Sequence, residues 1–277
     1  MAAGILALVI YGLNLGIDFK GGSVTGFRFP QSQTPAQIEE VLQSLNLGTV
    51  QIQPTGENSF NIKTIELDQE KHEQLKKAVT EKFPGAEELR FESIGPTVSG
   101  AITRRAFYQL ILVSLGILTY IAFAFRKIPR PLSSWRFGLA AIVALVHDLL
   151  VVIGVFALLG HFLEVEIDAL FITALLTVLG FSVHDTIIVF DRIRENLRRL
   201  GGMPFADIVS RSINQTLVRS VNTTMTVVLV LVAMLLFGGE TIRWFVVALL
   251  VGIVAGTYSS IFIASPLLYV WHRKKLT

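Results

Sequence analysis

The 277-residue sequence contains no cysteine. That excludes a disulfide scaffold, a Cys-ligated zinc site, an iron–sulfur cluster and a thiol nucleophile. Charge is scarce as well: 16% of residues are Asp, Glu, Lys or Arg, against about 25% in ordinary soluble domains. The short motifs that carry enzyme chemistry are also missing. There is no His-Glu-x-x-His for a zinc protease, no Gly-x-Ser-x-Gly for a serine nucleophile and no Walker-type glycine loop for a nucleotide. Intramembrane aspartyl proteases use Gly-x-Gly-Asp and Tyr-Asp, whereas this chain reads Gly180-Phe181-Ser182-Val183-His184-Asp185. The chain is therefore expected not to be an enzyme and to need neither metal nor cofactor.

What the chain has in abundance is apolar sequence. Hydrophobic residues make up 52% of it, and the runs near 106–125, 137–160, 168–190, 216–237 and 244–271 are each long enough to cross a bilayer, which takes about 20 residues. Met1–Leu15 is apolar but shorter, has no basic residue before it and no clear cleavage site. It reads as a first spanning helix that lacks its native start. The expectation is a polytopic α-helical membrane protein with six transmembrane helices.

The net charge of +3 divides unevenly. Residues 1–103 carry 8 basic and 12 acidic residues, and residues 104–277 carry 16 and 9. Of those 16, 12 fall in three places: Arg126, Lys127, Arg130 and Arg136; Arg192, Arg194, Arg198, Arg199 and Arg211; and Arg273, Lys274 and Lys275. The segments between them, His161–Ile167 and Phe237–Arg243, hold one arginine and three glutamates. This alternation is the positive-inside bias. It predicts both termini and a polar loop over 191–214 on the cytoplasmic side, residues 16–103 outside, and no nucleic-acid partner.

Residues 16–103 form the polar part of the chain. Ser23–Phe29 is strand-prone. Thr34-Pro35-Ala36-Gln37 is a capping-box start for a helix whose apolar face is Ile38, Val41, Leu42 and Leu45. Thr49–Gln53 and Ser59–Ile65 flank Pro-Thr-Gly-Glu-Asn and predict a hairpin. Asp68 caps a helix ending near Pro84-Gly85, and Leu89–Ile94 is a last strand. The order βαββαβ predicts a small ferredoxin-like α+β domain between helices 1 and 2.

Ionisable residues inside spans are functional candidates by default. Here they are His147, Asp148, His184, Asp185 and Arg219, with Val-His-Asp occurring twice, at 146–148 and 183–185. Counting in from the outer ends puts Asp185 about 25 Å deep, Arg219 about 28 Å and Asp148 about 18 Å. Arg219, Asn222, Thr223 and Thr226 recur at helical spacing as a polar stripe, and Ser182 shares a face with Asp185. A polar seam between two helices is expected. Blander readings stand beside it: Arg219 snorkelling to headgroups, a purely structural ion pair, and histidines that only pack. Ala248, Gly252, Gly256, Ser260 and Ala264 follow at four-residue spacing, a ridge for close helix approach.

Several runs together resemble one family. They are Gly16-Ile17-Asp18-Phe19-Lys20-Gly21-Gly22, Gly95-Pro96-Thr97-Val98-Ser99, Asp185-Thr186-Ile187-Ile188-Val189-Phe190-Asp191-Arg192-Ile193-Arg194-Glu195-Asn196, and Ser212-Ile213-Asn214-Gln215-Thr216-Leu217 with Arg219. They resemble the SecF family of the SecD–SecF protein-export complex, within the resistance–nodulation–division superfamily. The resemblance covers essentially the whole chain. It implies an auxiliary subunit in the bacterial plasma membrane that promotes preprotein translocation with the proton-motive force. The partners implied are a SecD-type six-span subunit, the Sec translocation channel and the preprotein. It also implies that Asp185 and Arg219 form the proton relay, and that Asp18, Gly21, Gly22, Asp191 and Arg192 are motif residues. Two departures from the family pattern are the missing basic leader and His184, where the family often has Asn. A non-transporting scaffold of the translocon and a small-molecule or lipid exporter of the same superfamily are the alternatives.

Overall fold

The computed structural model describes residues 1–56, 58–126, 133–200 and 202–273. Glu57, Gly201 and four residues of the basic clusters (Lys127, Arg130, Lys274 and Lys275) lie outside the described residues. In chain order the elements are α1 (Ala2–Tyr11), α2 (Ile17–Lys20), β1 (Gly22–Arg28), α3 (Pro35–Leu42), β2 (Gln51–Gly56), β3 (Ser59–Thr64), α4 (Gln69–Lys82) and β4 (Glu87–Ile94). Then follow the long helices α5 (Pro96–Ala124), α6 (Ser134–Leu163), α7 (Ala169–Arg199), α8 (Phe205–Phe237) and α9 (Glu240–Ser259). A π-helical stretch, Ser260–Ala264, joins α9 to α10 (Ser265–Arg273). The chain divides into two compact units, Leu15–Arg105 and Met1–Asn14 with Ala106–Thr277.

In the Leu15–Arg105 unit the four strands form one antiparallel sheet in the order β2-β3-β1-β4. Ile38 and Leu42 of α3 and Leu75 and Val79 of α4 are buried with Phe27, Phe29, Phe60 and Ile62 of the sheet side. Local chemistry sets the helix starts. Gln37 Oε1 accepts the Thr34 backbone N–H at 2.9 Å, and Asp68 Oδ1 accepts that of Lys71 at 2.8 Å. The hairpin differs from the five-residue turn expected, because β2 runs on through Pro54 to Gly56 with a register shift there. β2 is an edge strand, where a proline without an N–H is tolerated. At one end of α4, His72 stacks on Phe91 with ring centroids 3.7 Å apart. Glu88 pairs with both His72 (2.8 Å) and Lys76 (2.9 Å).

The other unit is helical. Among the described residues five helices are long and apolar enough to cross a membrane, the last running from Glu240 to His272 through the π stretch. The expected first span is a helix of only ten residues, because Gly12 takes φ 68° and turns the backbone out of it. At about 1.5 Å per residue this is near 15 Å, half the hydrocarbon thickness. α1 packs on α6 through two glycines, where a Cβ on Gly154 would lie 2.5 Å from the Gly4 Cα. The polar segment 191–214 is also not the loop expected. α7 continues to Arg199 and α8 begins at Phe205, since main-chain hydrogen bonds carry a helix past the end of its apolar run.

α6, α7 and α9 are the inner helices, with α8 against α7 and α9. The ridge residues Ala248, Gly252, Gly256, Ser260 and Ala264 are all buried inside the chain. A Cβ on Gly252 would sit 2.3 Å from Val178 Cγ2, and one on Gly256 would sit 2.9 Å from Ser182 Cβ. α7 therefore crosses α9 at backbone-to-side-chain distance, the close approach that small residues permit.

Candidate functional site

That close crossing brings two buried aspartates and a set of hydroxyls into one layer. Asp148 on α6 is fully buried. Its Oδ2 accepts from Ser182 Oγ on α7 (2.6 Å) and from Ser259 Oγ on the last helix (2.8 Å). Its Oδ1 lies 3.0 Å from His147 Nδ1. Three helices thus converge on one carboxylate, and both of its oxygens have a hydrogen-bond partner.

Asp185 on α7 is also fully buried, but its surroundings are thinner. Oδ2 accepts from Thr257 Oγ1 at 3.1 Å. Oδ1 has no hydrogen-bond partner among the described residues. The Ser220 hydroxyl on α8 is within interaction range of the carboxylate, and it too is buried without a partner. Thr257 is shared further, since its hydroxyl lies 2.6 Å from Thr224 Oγ1 on α8. Next to this, Thr186 Oγ1 and Ser260 Oγ meet at 2.9 Å. An incompletely bonded carboxylate buried between apolar helices is costly, which makes it a candidate functional group.

The expected Asp185–Arg219 pairing is not formed. Arg219 lies on the exposed face of α8 and makes no ion pair among the described residues. Asn222 and Thr226 are exposed with it, and Thr223 is half-buried. The Thr223 and Thr226 hydroxyls are turned back onto the Arg219 and Thr223 carbonyls. The physical reason is rotational phase. The face of α8 that enters the bundle carries Thr216, Ser220 and Thr224, at i, i+4 and i+8, and small residues allow the closer approach. Ser182 bonds to Asp148 and not to Asp185, and His184 is exposed.

The residues missed in the sequence are Thr257, Ser259, Ser220 and Thr224. Their signals were a hydroxyl-rich Thr257-Tyr258-Ser259-Ser260 in an apolar span and the small-polar repeat on α8. The π stretch begins at the last of these hydroxyls, Ser260, and π turns recur at functional sites. Ser265 Oγ donates to the Ser260 carbonyl at 2.9 Å, which meets an acceptor in the widened turn.

The remaining motif residues have structural partners. Gly21 and Gly22 adopt φ 77° and 125°, and a Cβ on Gly22 would lie 2.7 Å from the Thr64 carbonyl oxygen. Only glycine enters β1 this way. Asp18 lies in the short α2 just before. Asp191 pairs with Arg194, and Arg192 pairs with Glu195. Arg192 also reaches Gln215 Oε1 at 2.7 Å, and Asn196 Nδ2 donates to Ser212 Oγ and Gln215 Oε1, both at 2.9 Å. These bonds clamp the end of α7 to the start of α8.

Comparison with known proteins agrees with this architecture. Residues 74–274 match the family "Protein export membrane protein SecD/SecF, C-terminal", and residues 6–29 match the "SecD/SecF GG Motif". The protein translocase subunit SecF of Thermobaculum terrenum is 49% identical over 98% of this chain and 88% of its own length. That of Anaerolinea thermophila is 41% identical over 97% and 87%. The crystal structure of SecDF, a translocon-associated membrane protein from Thermus thermophilus, superposes with a TM-score of 0.85 at 35% identity. This chain is covered to 98% in that match and spans 36% of the SecDF chain.

Proposed function

The chain belongs to the SecF family of protein translocase subunits, and from that premise we propose that it couples a proton gradient to preprotein export. It works as a multi-pass membrane subunit beside a SecD-type partner and the translocation channel. Five membrane-length helices, with α1 read as a sixth span, and the 36% share of the SecDF chain support a half-transporter. The charge alternation supports cytoplasmic termini and a Leu15–Arg105 unit outside the bacterial plasma membrane. We read that unit as a ferredoxin-like domain on its element order. The coupling is mechanical, so no enzymatic reaction is assigned.

The observation that carries the proposal is Asp185: fully buried, held by one threonine, with one carboxylate oxygen unpartnered among the described residues. It is the proton-carrying group. Arg219 directly precedes Ser220, which faces the carboxylate. A turn of α8 or a swing of the long side chain exchanges a hydroxyl for a guanidinium beside Asp185. An adjacent cation favours the ionised carboxylate, and its withdrawal into a dry seam favours the protonated one. About 1.4 kcal/mol of differential interaction moves the balance tenfold. A merely architectural role gives no reason to bury a half-satisfied carboxylate. The test is preprotein translocation by the full complex in vesicles under an imposed pH gradient. Asp185→Asn, fixed in the neutral form, abolishes gradient-driven transport while assembly is retained. Transport at the unmodified rate overturns the relay.

A further inference from the structure

Asp148 is the second buried carboxylate of the bundle, and the relay just described does not use it. Its geometry is unlike that of Asp185. Both oxygens are bonded, and the partner on Oδ1 is His147 Nδ1 at 3.0 Å. A bond between an imidazole nitrogen and a carboxyl oxygen works in two directions. With the carboxylate ionised, Nδ1–H donates to Oδ1. With the carboxyl protonated, Oδ1–H donates to the Nδ1 lone pair. In either state Oδ2 goes on accepting from Ser182 and Ser259. No polar group is stranded when the proton is gained or lost, so the usual penalty for an unsatisfied buried group does not arise.

The pair also has one exposed side. The carboxylate is wholly enclosed, whereas the His147 side chain keeps 11% of its surface exposed at the bundle edge, near Tyr258 of the last helix at 6.2 Å between ring centroids. Near Asp148 the other ionisable groups on the helices packed against it are few. α7 offers Asp185 and the exposed His184, the last helix offers Tyr258, and α1 offers Tyr11, which stacks on His161 instead. The remaining ionisable groups of α7 begin at Asp191 and Arg192, and the described ones of the last helix are Glu240, Arg243, Tyr269 and His272, all about 13 Å or more along the helix from Ser182 and Ser259. The imidazole is the only cation-forming group in contact with the carboxylate among the described residues.

We propose that His147 and Asp148 form a second proton-holding site, distinct from Asp185, in which the histidine passes the proton between the bundle edge and the enclosed carboxylate. Uptake places a proton from water on Nε2, the Nδ1–H bond breaks and the Oδ1–H bond forms. Imidazole is left neutral in its other tautomer and the carboxyl neutral. Release is the reverse. Because Ser182 and Ser259 hold α7 and the last helix to this carboxyl, its charge bears directly on the helix pair that also carries Asp185 and Thr257. The inference deepens the proton-coupled reading and rests on it.

Infrared titration of the full complex in vesicles, together with gradient-driven export, tests it. Protonated buried carboxyls give C=O bands that shift in deuterium oxide. Asp148→Asn removes one such band and leaves the Asp185 band, and Asp185→Asn does the opposite. His147→Gln keeps a side chain that can donate to Oδ1 but cannot relay a proton. It slows export by about tenfold or more, as loss of an acid–base group does, and changes the pH profile at unaltered thermal stability. If Asp148→Asn removes no band, or His147→Gln matches the parent at every pH, the pair is only a helix fastener and the inference falls with the Asp185 relay untouched. If Asp185→Asn still transports while Asp148→Asn does not, the first relay fails and the His147–Asp148 site stands alone.

Discussion

Replacing Gly252 by alanine tests whether the α7–α9 crossing sets the geometry of the site. The added methyl would lie 2.3 Å from Val178 Cγ2, 2.7 Å from Cγ1 and 3.0 Å from Cβ. Carbon atoms rest about 3.5–4.0 Å apart, so the helices must part by roughly 1 Å or Val178 must leave its rotamer. Overpacking of this kind costs about 1–3 kcal/mol. Alanine returns up to about 1 kcal/mol through helix propensity, so a net loss near 1–2 kcal/mol is expected. The consequence for function comes one to two turns further along. Thr257–Asp185 is already 3.1 Å, and parting the helices breaks it. Ser259–Asp148, at 2.8 Å, lengthens as well. The assay is reversible unfolding of the full-length protein in mixed micelles, alongside export in vesicles. Val178→Ala made on top of Gly252→Ala removes the colliding methyls and should recover stability and export. The pair should couple by about 1–2 kcal/mol in a double-mutant cycle. If Gly252→Ala is as stable as the parent and the coupling is zero, the close approach is not what positions these hydroxyls.

Two further predictions concern the Leu15–Arg105 unit. Burial pushes the Glu88 carboxyl up, but hydrogen bonds from Lys76 and His72 and the charges of both outweigh this and hold it below the ordinary 4.5. A lowered carboxyl pKa stabilises fully above the ordinary value and is lost as pH falls through the lowered one. Glu88→Gln should therefore cost about 1 kcal/mol at pH 7, read as faster amide exchange in α4. The difference from the parent should shrink below pH 4.5; a pH-independent difference refutes the pairing. For topology, Thr55→Cys places the only thiol of the cysteine-free chain on an exposed edge strand. A membrane-impermeant maleimide should label it in intact cells, and labelling only after lysis reverses the orientation.

The strands and helices of the Leu15–Arg105 unit were legible because their signals are local. Asp68 and Thr34 mark helix starts, Gly21-Gly22 marks a backbone turn, and the apolar alternation selects the sheet face. The five long helices were legible from length and hydropathy alone. What the sequence could not supply was rotation. On α8 two polar stripes compete, Arg219-Asn222-Thr223-Thr226 and Thr216-Ser220-Thr224. The charged stripe is the more conspicuous, but the small one allows the closer approach and takes the inner face. The same applies to Ser182, one turn from Asp185 yet aimed at Asp148. Its direction depends on where α6 crosses α7, a long-range fact with no local signature. The ridge from Ala248 to Ala264 was visible as spacing, but its partner, Val178 and Ser182 of the same chain, was not.

These placements bear on the proposed relay through the way each helix is held. α7 and the last helix are fastened at Gly252 and Gly256 by steric interlock, and both are tied to α6 through Asp148. α8 is held differently at its two ends. Toward its start, Arg192, Asn196, Ser212 and Gln215 bind it to α7 by several hydrogen bonds. At the level of Asp185 its hydrogen bond among the described residues is the Thr224–Thr257 contact, with the buried Ser220 hydroxyl within interaction range of the carboxylate. A charge change at Asp185 is felt first by Thr257, which is the residue that Thr224 holds. In the proposed relay, protonation of Asp185 would weaken the acceptor that orients the Thr257 hydroxyl, and the attachment of α8 with it. A helix clamped at one end and released near its middle would pivot, moving the Arg219 side of α8 relative to Asp185. In that reading the carboxylate, the two threonines and the clamp form one device, whose parts come from three helices, α7, α8 and α9.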